Sequence, residues 1–240
     1  MISVTNIEKR FGPLDVLKSI SAHFESGHSY ALIGPNGSGK TTLIKSILGM
    51  VVPDNGKIEV DGESIKGQWA YREKIGYMPQ IGRYPDNMTI GQLFAMIKDL
   101  RADCKTIDEE LIEGFGLDKL MNKRMHTLSG GTRQKVSAAL AFLFDPKVFI
   151  LDEPTAGLDP LAVEVIKEKI LKQMGPDKTF IITSHILSDL DDLSSHALYL
   201  DNSSLIYNDS IALLKEETGE IRLGKAIATI MKRKQKSVTA

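Results

Sequence analysis

Eight residues constrain this 240-residue chain more than any others: Gly34-Pro35-Asn36-Gly37-Ser38-Gly39-Lys40-Thr41. They fit the pattern GxxxxGK[ST] and stand between two readable elements. Tyr30–Ile33 before them is an apolar run of strand type, and the segment from Lys40 to Gly49 reads as a helix. Glycines at 34, 37 and 39 let the backbone turn tightly, so that amide hydrogens converge on one point while the helix start adds its positive end. Phosphate oxygens are the ligand this geometry suits. Lys40 would bring a full charge to the β- and γ-phosphates of ATP, and the Thr41 hydroxyl would ligate Mg2+. Thr42 follows and completes the nucleotide-binding set. A glycine-rich structural turn would share the glycines but has no need of Lys-Thr at this offset; the motif by itself leaves many nucleotide enzymes open.

Phe149-Ile150-Leu151-Asp152-Glu153 supplies a second part. A buried strand ending in an acid places Asp152 at the carboxyl edge of a sheet, where ligands bind in open α/β folds. From there Asp152 would hold magnesium through water, and Glu153 would orient and deprotonate an attacking water. Two adjacent acids after a strand also make an ordinary helix-leading turn. Leu128-Ser129-Gly130-Gly131 precedes a helix whose apolar residues Val136, Ala139, Leu140 and Leu143 share one face. Ser129, Gly130 and Gly131 offer a hydroxyl and bare amides at a helix start, a second anion site, although a plain N-cap has the same composition. Two phosphate-binding helix starts in one chain make sense if two copies face head to tail. Each copy's Ser129 edge would then close on the nucleotide held by the other's Lys40.

The remaining elements fit one α/β domain with a small appendage. Ile2–Ile7 and Ser19–Phe24 are β-rich, Lys57–Val60 follows a turn at 53–56, and Ile75–Met78 ends at Pro79. Thr89-Ile90-Gly91-Gln92 and Thr106-Ile107-Asp108-Glu109 both read as capping boxes. Asp159-Pro160 opens a helix, Phe180–Thr183 is a buried strand, and Ala197–Leu200 with Leu205–Tyr207 forms a closing hairpin. Beyond Asp209 the expectation is one amphipathic helix at most, ending in the basic run 232–236. The formal net charge of −1 argues against a nucleic-acid binder that relies on overall basicity, and the single Cys104 reads as a surface thiol suited to a reducing compartment. Met1-Ile2-Ser3-Val4 runs directly into strand-like sequence rather than a signal peptide, and no stretch approaches the roughly 18 apolar residues of a spanning helix. Any membrane-spanning part of the system would belong to another chain.

The order of these motifs resembles that of ABC ATPases from about residue 2 to 215: the loop 34–41, Gln80, Leu128-Ser129-Gly130-Gly131, Asp152-Glu153, Gly157-Leu158-Asp159 and Ser184-His185. The resemblance implies an α/β fold, a P-loop NTPase core with an antiparallel β subdomain and a small α-helical subdomain at about 81–135, followed by a helical, basic tail over 216–240. It implies that Gln80 senses magnesium and water, that Asp159 contacts the opposite subunit, and that His185 touches the γ-phosphate and supports Glu153. Phe11 takes the place of the aromatic that stacks on adenine, with a core-filling role as its alternative. Thr132 stands where the family's signature usually has glutamine, a variation that resembles the exporter-like branch paired with ABC-2 permeases. The implied protein is an ATPase subunit on the cytoplasmic face of the cell membrane, driving an integral-membrane permease as an ATP-dependent homodimer. Ile75–Thr89 and Leu48–Pro53 further resemble the ATPase subunit of the transporter that helps mature the copper centre of nitrous oxide reductase. Methionines 78, 88, 96, 121 and 125 read as the flexible lining of a groove for a permease helix. A soluble assembly ATPase, like the one serving iron–sulfur cluster scaffolds, is the competing implication.

Overall fold

The computed structural model describes residues 1–238, with side chains through Arg233; of the predicted basic run, the side chains of Lys234, Gln235 and Lys236 lie outside the described residues. Two sheets organise the chain. The first is antiparallel, in the order β2-β1-β4-β5, from β1 (Ile2–Phe11), β2 (Leu14–Phe24), β4 (Asn55–Val60) and β5 (Glu63–Ser64). The second is six-stranded, in the order β10-β9-β3-β8-β7-β6. Its parallel strands are β3 (Ser29–Ile33), β6 (Ile75–Met78), β7 (Val148–Asp152), β8 (Thr179–Thr183) and β9 (His196–Asp201); β10 (Ser204–Ser210) closes the edge antiparallel to β9.

Strand alternation divides the core in two. On one face of the six-stranded sheet, Ala31, Ile33, Phe149, Leu151, Phe180 and Ile182 pack with residues of the helices. On the other, Tyr30, Leu32, Ile150 and Ile181 pack with Leu43, Ile44 and Ile47 of α1 (Lys40–Ile47) and with the antiparallel sheet. The continuous apolar runs of β3, β7 and β8 follow from burial on both faces. A row of rings, Phe142–Phe149–Phe180, each pair 4.6 Å apart, fixes α4 (Gly130–Phe142) over the sheet.

Between β6 and β7 the chain is helical, with α2 (Ile90–Leu100), α3 (Glu110–Gly114) and α4. The Thr89–Gln92 capping box forms as expected. The second expected box does not: α3 starts at Glu110, and Thr106 lies in irregular chain. Asp108 serves both sides instead: its Oδ1 accepts the Glu110 amide at 3.1 Å, while its Oδ2 takes Lys169 Nζ at 2.5 Å and Gln173 Nε2 at 3.2 Å from α5 (Pro160–Gln173). The methionine groove is corrected at two positions: Met78 and Met125 are buried in the core, whereas Met88, Met96 and Met121 are half-buried, the last two packing against that core. Cys104 is a free, half-buried thiol, its Sγ 3.4 Å from the Thr106 carbonyl oxygen.

The single helix expected after Asp209 is two. α7 (Ile211–Thr218) ends at Gly219, whose φ of 70° stops the helix, and α8 (Leu223–Val238) packs Leu223, Ala226 and Ile227 into the core. Asp191 of α6 (Leu187–Leu193) ties both down, accepting Lys215 Nζ at 2.5 Å and the Leu223 amide at 3.0 Å. Among the described residues no helix is long and apolar enough to cross a membrane.

Candidate nucleotide site

Neighbouring parallel strands end together, and their ends carry the chemistry. β3 runs out into the loop 34–39, β7 ends at Asp152, β8 at Thr183 just before Ser184-His185, and β6 two residues before Gln80. These ends line a cleft of about 220 Å3 with Asn36, Gly37, Ser38, Gly39, Lys40, Thr41, Thr42, Gln80, Asp152, Glu153 and His185. That volume is below the range of ordinary ligand pockets, so a nucleotide held there would be only partly enclosed by this chain.

The loop has no room for side chains where it bends back. A Cβ on Gly34 would lie 2.2 Å from the Leu200 carbonyl oxygen, and one on Gly39, at a φ of 106°, 2.5 Å from that of Val16. Lys40 Nζ donates to the carbonyls of Gly34, at 2.6 Å, and Pro35, at 3.1 Å, so its charge sits over the loop. Burial lowers the Lys40 pKa, while Glu153 and Asp152 pull it back up. The Ser38 hydroxyl is buried with no hydrogen-bond partner. Such an orphan is costly and matches a phosphate oxygen as its missing acceptor.

Thr183 organises the acids. It stands opposite Asp152 in the β7–β8 register and donates to Asp152 Oδ1 at 2.6 Å, fixing a carboxylate that is only 5% exposed. Its Oγ1 also accepts the Glu153 amide at 3.0 Å. Glu153 has a φ of 56°, in the left-handed region that costs a non-glycine residue roughly 1–2 kcal/mol. Its carboxylate turns toward His185, with Oε2 accepting the His185 amide at 3.1 Å and Oε1 lying 3.4 Å from Nε2. Tyr77 stands beside this group, its pKa pushed up to about 12 by burial and by the nearby Asp152.

The donors at hand for a metal are the Thr41 hydroxyl, the Gln80 side chain and the Asp152 carboxylate. Among the described residues no group of three His, Cys, Asp or Glu forms a metal cage. One carboxylate with neutral oxygens fits magnesium, which takes few protein ligands and shares phosphates and water.

Ser129, Gly130, Gly131 and Asp159 do not line this cleft. Ser129 caps α4, accepting the Thr132 amide at 3.2 Å, and its hydroxyl lies 2.9 Å from that of Thr132. The unusual residue of the signature thus takes part in the cap. Asp159 caps α5 and pairs with Lys135 at 2.7 Å. Phe11 does not line the cleft either; Leu14 and Val16 do. At 50% exposure Phe11 is not a core residue, and Lys9 Nζ stands 5.3 Å from its ring centroid. Sequence reasoning did not assign Thr183 or the aliphatic pair Leu14 and Val16 to the site. A threonine closing an otherwise apolar strand was the one available signal.

A family profile described as ABC transporter matches residues 17–156. The chain belongs to the ABC transporter family. It is an ATP-binding subunit of that family and an ATPase. Among its relatives is the Nod factor export ATP-binding protein I of Ralstonia nicotianae, 32% identical over 213 residues, covering 86% of this chain and 66% of that protein. The protein of the same description from Burkholderia lata is 31% identical over 227 residues, covering 91% and 74%. This chain therefore spans roughly two thirds to three quarters of their length. A solved structure described as the ATP-binding subunit of an ABC transporter superposes with a TM-score of 0.89 at 24% identity, covering 96% of this chain and 99% of that one. A bacterial ABC exporter with ATP bound superposes with a TM-score of 0.79 at 24% identity, covering 95% of this chain and 41% of that one. These two likenesses establish the fold.

Proposed function

We propose that this subunit powers an exporter-type ABC transporter, as half of a head-to-tail pair that closes over two nucleotides. The observation that carries the reading is the separation of two anion-suited helix starts, one inside the cleft with Lys40 and the other, at Ser129, outside it. One chain holds the triphosphate end, and a second chain's Ser129–Gly131 edge covers it. Lys40 and the loop amides neutralise the β- and γ-phosphates; bound ATP and Mg2+ supply the phosphoryl group and the charge neutralisation that let water attack. Thr41, Gln80 and Asp152 are the residues that would hold the metal. Glu153, held by Thr183 and the His185 amide, takes the proton of the attacking water, and His185 steadies its carboxylate.

The export direction is favoured by the relatives named for Nod factor export. Work of this kind needs a separate membrane permease, with this subunit at its cytoplasmic face and the helical segment at about 81–135 as the moving part. A narrower reading, maturation of a copper enzyme, rests on the segments 75–89 and 48–53 alone. A soluble assembly ATPase would use the same cleft with soluble partners; co-purification with a multi-span membrane protein separates it from the transporter reading.

The test is ATP turnover of wild type beside Glu153→Gln, with sizing of both in ATP and magnesium. Turnover should fall by roughly 10²-fold or more, with the variant accumulating as a dimer. Unchanged turnover, or a variant that stays monomeric with ATP bound, defeats the proposal.

A further inference from the structure

The first turns of α4 are fastened to the segment 153–159 at three places. A Cβ on Gly131 would lie 2.7 Å from the Gly157 carbonyl oxygen, so helix and loop touch through backbone. Lys135 Nζ reaches Asp159 Oδ2 at 2.7 Å. Between these two, Gln134, only 6% exposed, donates from Nε2 to the main-chain carbonyl of Glu153 at 3.2 Å. The other bond to that carbonyl comes from the Ala156 amide, also at 3.2 Å, within the same turn.

Glu153 needs such fastening. Its backbone is in the left-handed region, a conformation that persists only where the surroundings over-determine it. Thr183 holds its amide and the His185 amide holds its carboxylate, both from the strand-and-loop side. Gln134 is the hold that comes from α4, the helix that begins at Ser129. A rotation of α4 therefore acts directly on the peptide carrying the carboxylate.

We propose that Gln134 is a positioning residue: its buried amide clamps the Glu153 carbonyl and makes the hydrolytic step depend on how the Ser129–Gly131 edge is seated. This rests on the reading of Glu153 as general base. Seating of that edge on one nucleotide is then felt at the Glu153 of the same chain, which serves the other nucleotide. A side chain that cannot donate leaves the carbonyl with its local bond only, and the carboxylate loses its aim.

Full-length Gln134→Met and Gln134→Glu test this, with Glu153→Gln run in parallel. Methionine keeps the volume and cannot donate. The expected result is a fall in kcat of about tenfold to a hundredfold, the scale of an ångström misplacement, with KM and ATP affinity within about threefold of wild type. Gln134→Glu carries the more specific readout. An ionised carboxylate repels the facing carbonyl, whereas a protonated one donates to it. Gln134 is buried, so desolvation raises the introduced carboxyl above the usual carboxylate range. The ratio of its kcat to that of wild type should therefore rise several-fold between pH 8 and pH 5 at unchanged KM, whereas a charge buried at a site that only fills space would act on stability rather than on kcat. Wild-type kcat in Gln134→Met, or a Gln134→Glu ratio that is flat with pH, overturns the proposal. Should the methionine variant fail to fold, the pH ratio decides alone. If Glu153→Gln keeps full turnover, the general-base reading has failed; if it is dead while Gln134→Met is active, only the present inference has.

Discussion

At Gly34–Thr41 a helix start is folded into the molecule, and at Ser129–Gly131 a helix start is turned out of it. The first is crowded by its own chain: Cβ atoms on Gly34 and Gly39 would collide with the carbonyls of Leu200 and Val16. The second is bare. Ser129 and Gly130 are exposed, and a Cβ on Gly130 would meet nothing within 4 Å. Both ends offer amides and a hydroxyl to an anion. The difference is that the phosphate loop already has its lysine and acids beside it, whereas the α4 edge has no cation or acid of the cleft across from it. Glycine at 39 is explained by this chain alone, and glycine at 130 asks for something that arrives from outside.

The largest effect that tests this contrast comes from mixing two dead chains. Lys40→Ala should abolish turnover by removing the charge over the loop, and Ser129→Arg by blocking the outward edge. With head-to-tail pairing, about half of the pairs in an equal mixture join one chain of each kind, and each mixed pair contains one site with both parts intact. Turnover should rise well above the sum of the separate preparations. A mixture that stays at that sum, although each chain is folded, means that the two half-sites do not complete one another.

Gly130→Ala sharpens the contrast with a smaller change. Nothing in the chain opposes the added methyl group, and alanine suits a helix better than glycine by up to about 1 kcal/mol. The variant should melt at or slightly above the wild-type temperature and bind ATP normally as a single chain. Turnover should nevertheless drop by roughly tenfold or more, because close approach to a phosphate needs a bare backbone. Unchanged turnover would show that no partner comes within reach of Gly130.

How far the chain could be read in advance follows the same division between local and remote causes. The loop 34–41, the Thr89 capping box and the Asp159-Pro160 start are set by neighbours in sequence, and all three take the expected form. Thr106–Glu109 has the right letters for a cap, but Lys169 and Gln173 claim Asp108 from more than sixty residues away. Thr183 becomes central only because β8 pairs beside β7, which no spacing reveals. Gln134 reads as one more polar residue after the signature, and only the packing of α4 on the 153–159 turn makes its amide a tether. The methionines misled for the converse reason: flexible thioethers suit a groove and a core equally, and at 78 and 125 the core took them.

The base end of the nucleotide offers the smallest effect and asks whether the inward half-site is complete within one chain. Phe11 ends β1, half exposed, with Lys9 standing over its ring. A ring so placed can stack on a base without regard to its identity, a contact worth about 1 kcal/mol, or several-fold in affinity. Phe11→Ala should therefore raise KM and the Kd of the single chain for ATP several-fold while leaving kcat nearly unchanged, and Phe11→Tyr should restore both. Ser129→Ala, acting from the outward edge, should leave single-chain affinity alone. If Phe11→Ala binds ATP as wild type does, Leu14 and Val16, which line the cleft on that side, are the residues to change next. A loss of single-chain affinity in Ser129→Ala would mean that the α4 edge reaches the nucleotide of its own chain, and the contrast between the two helix starts would fail.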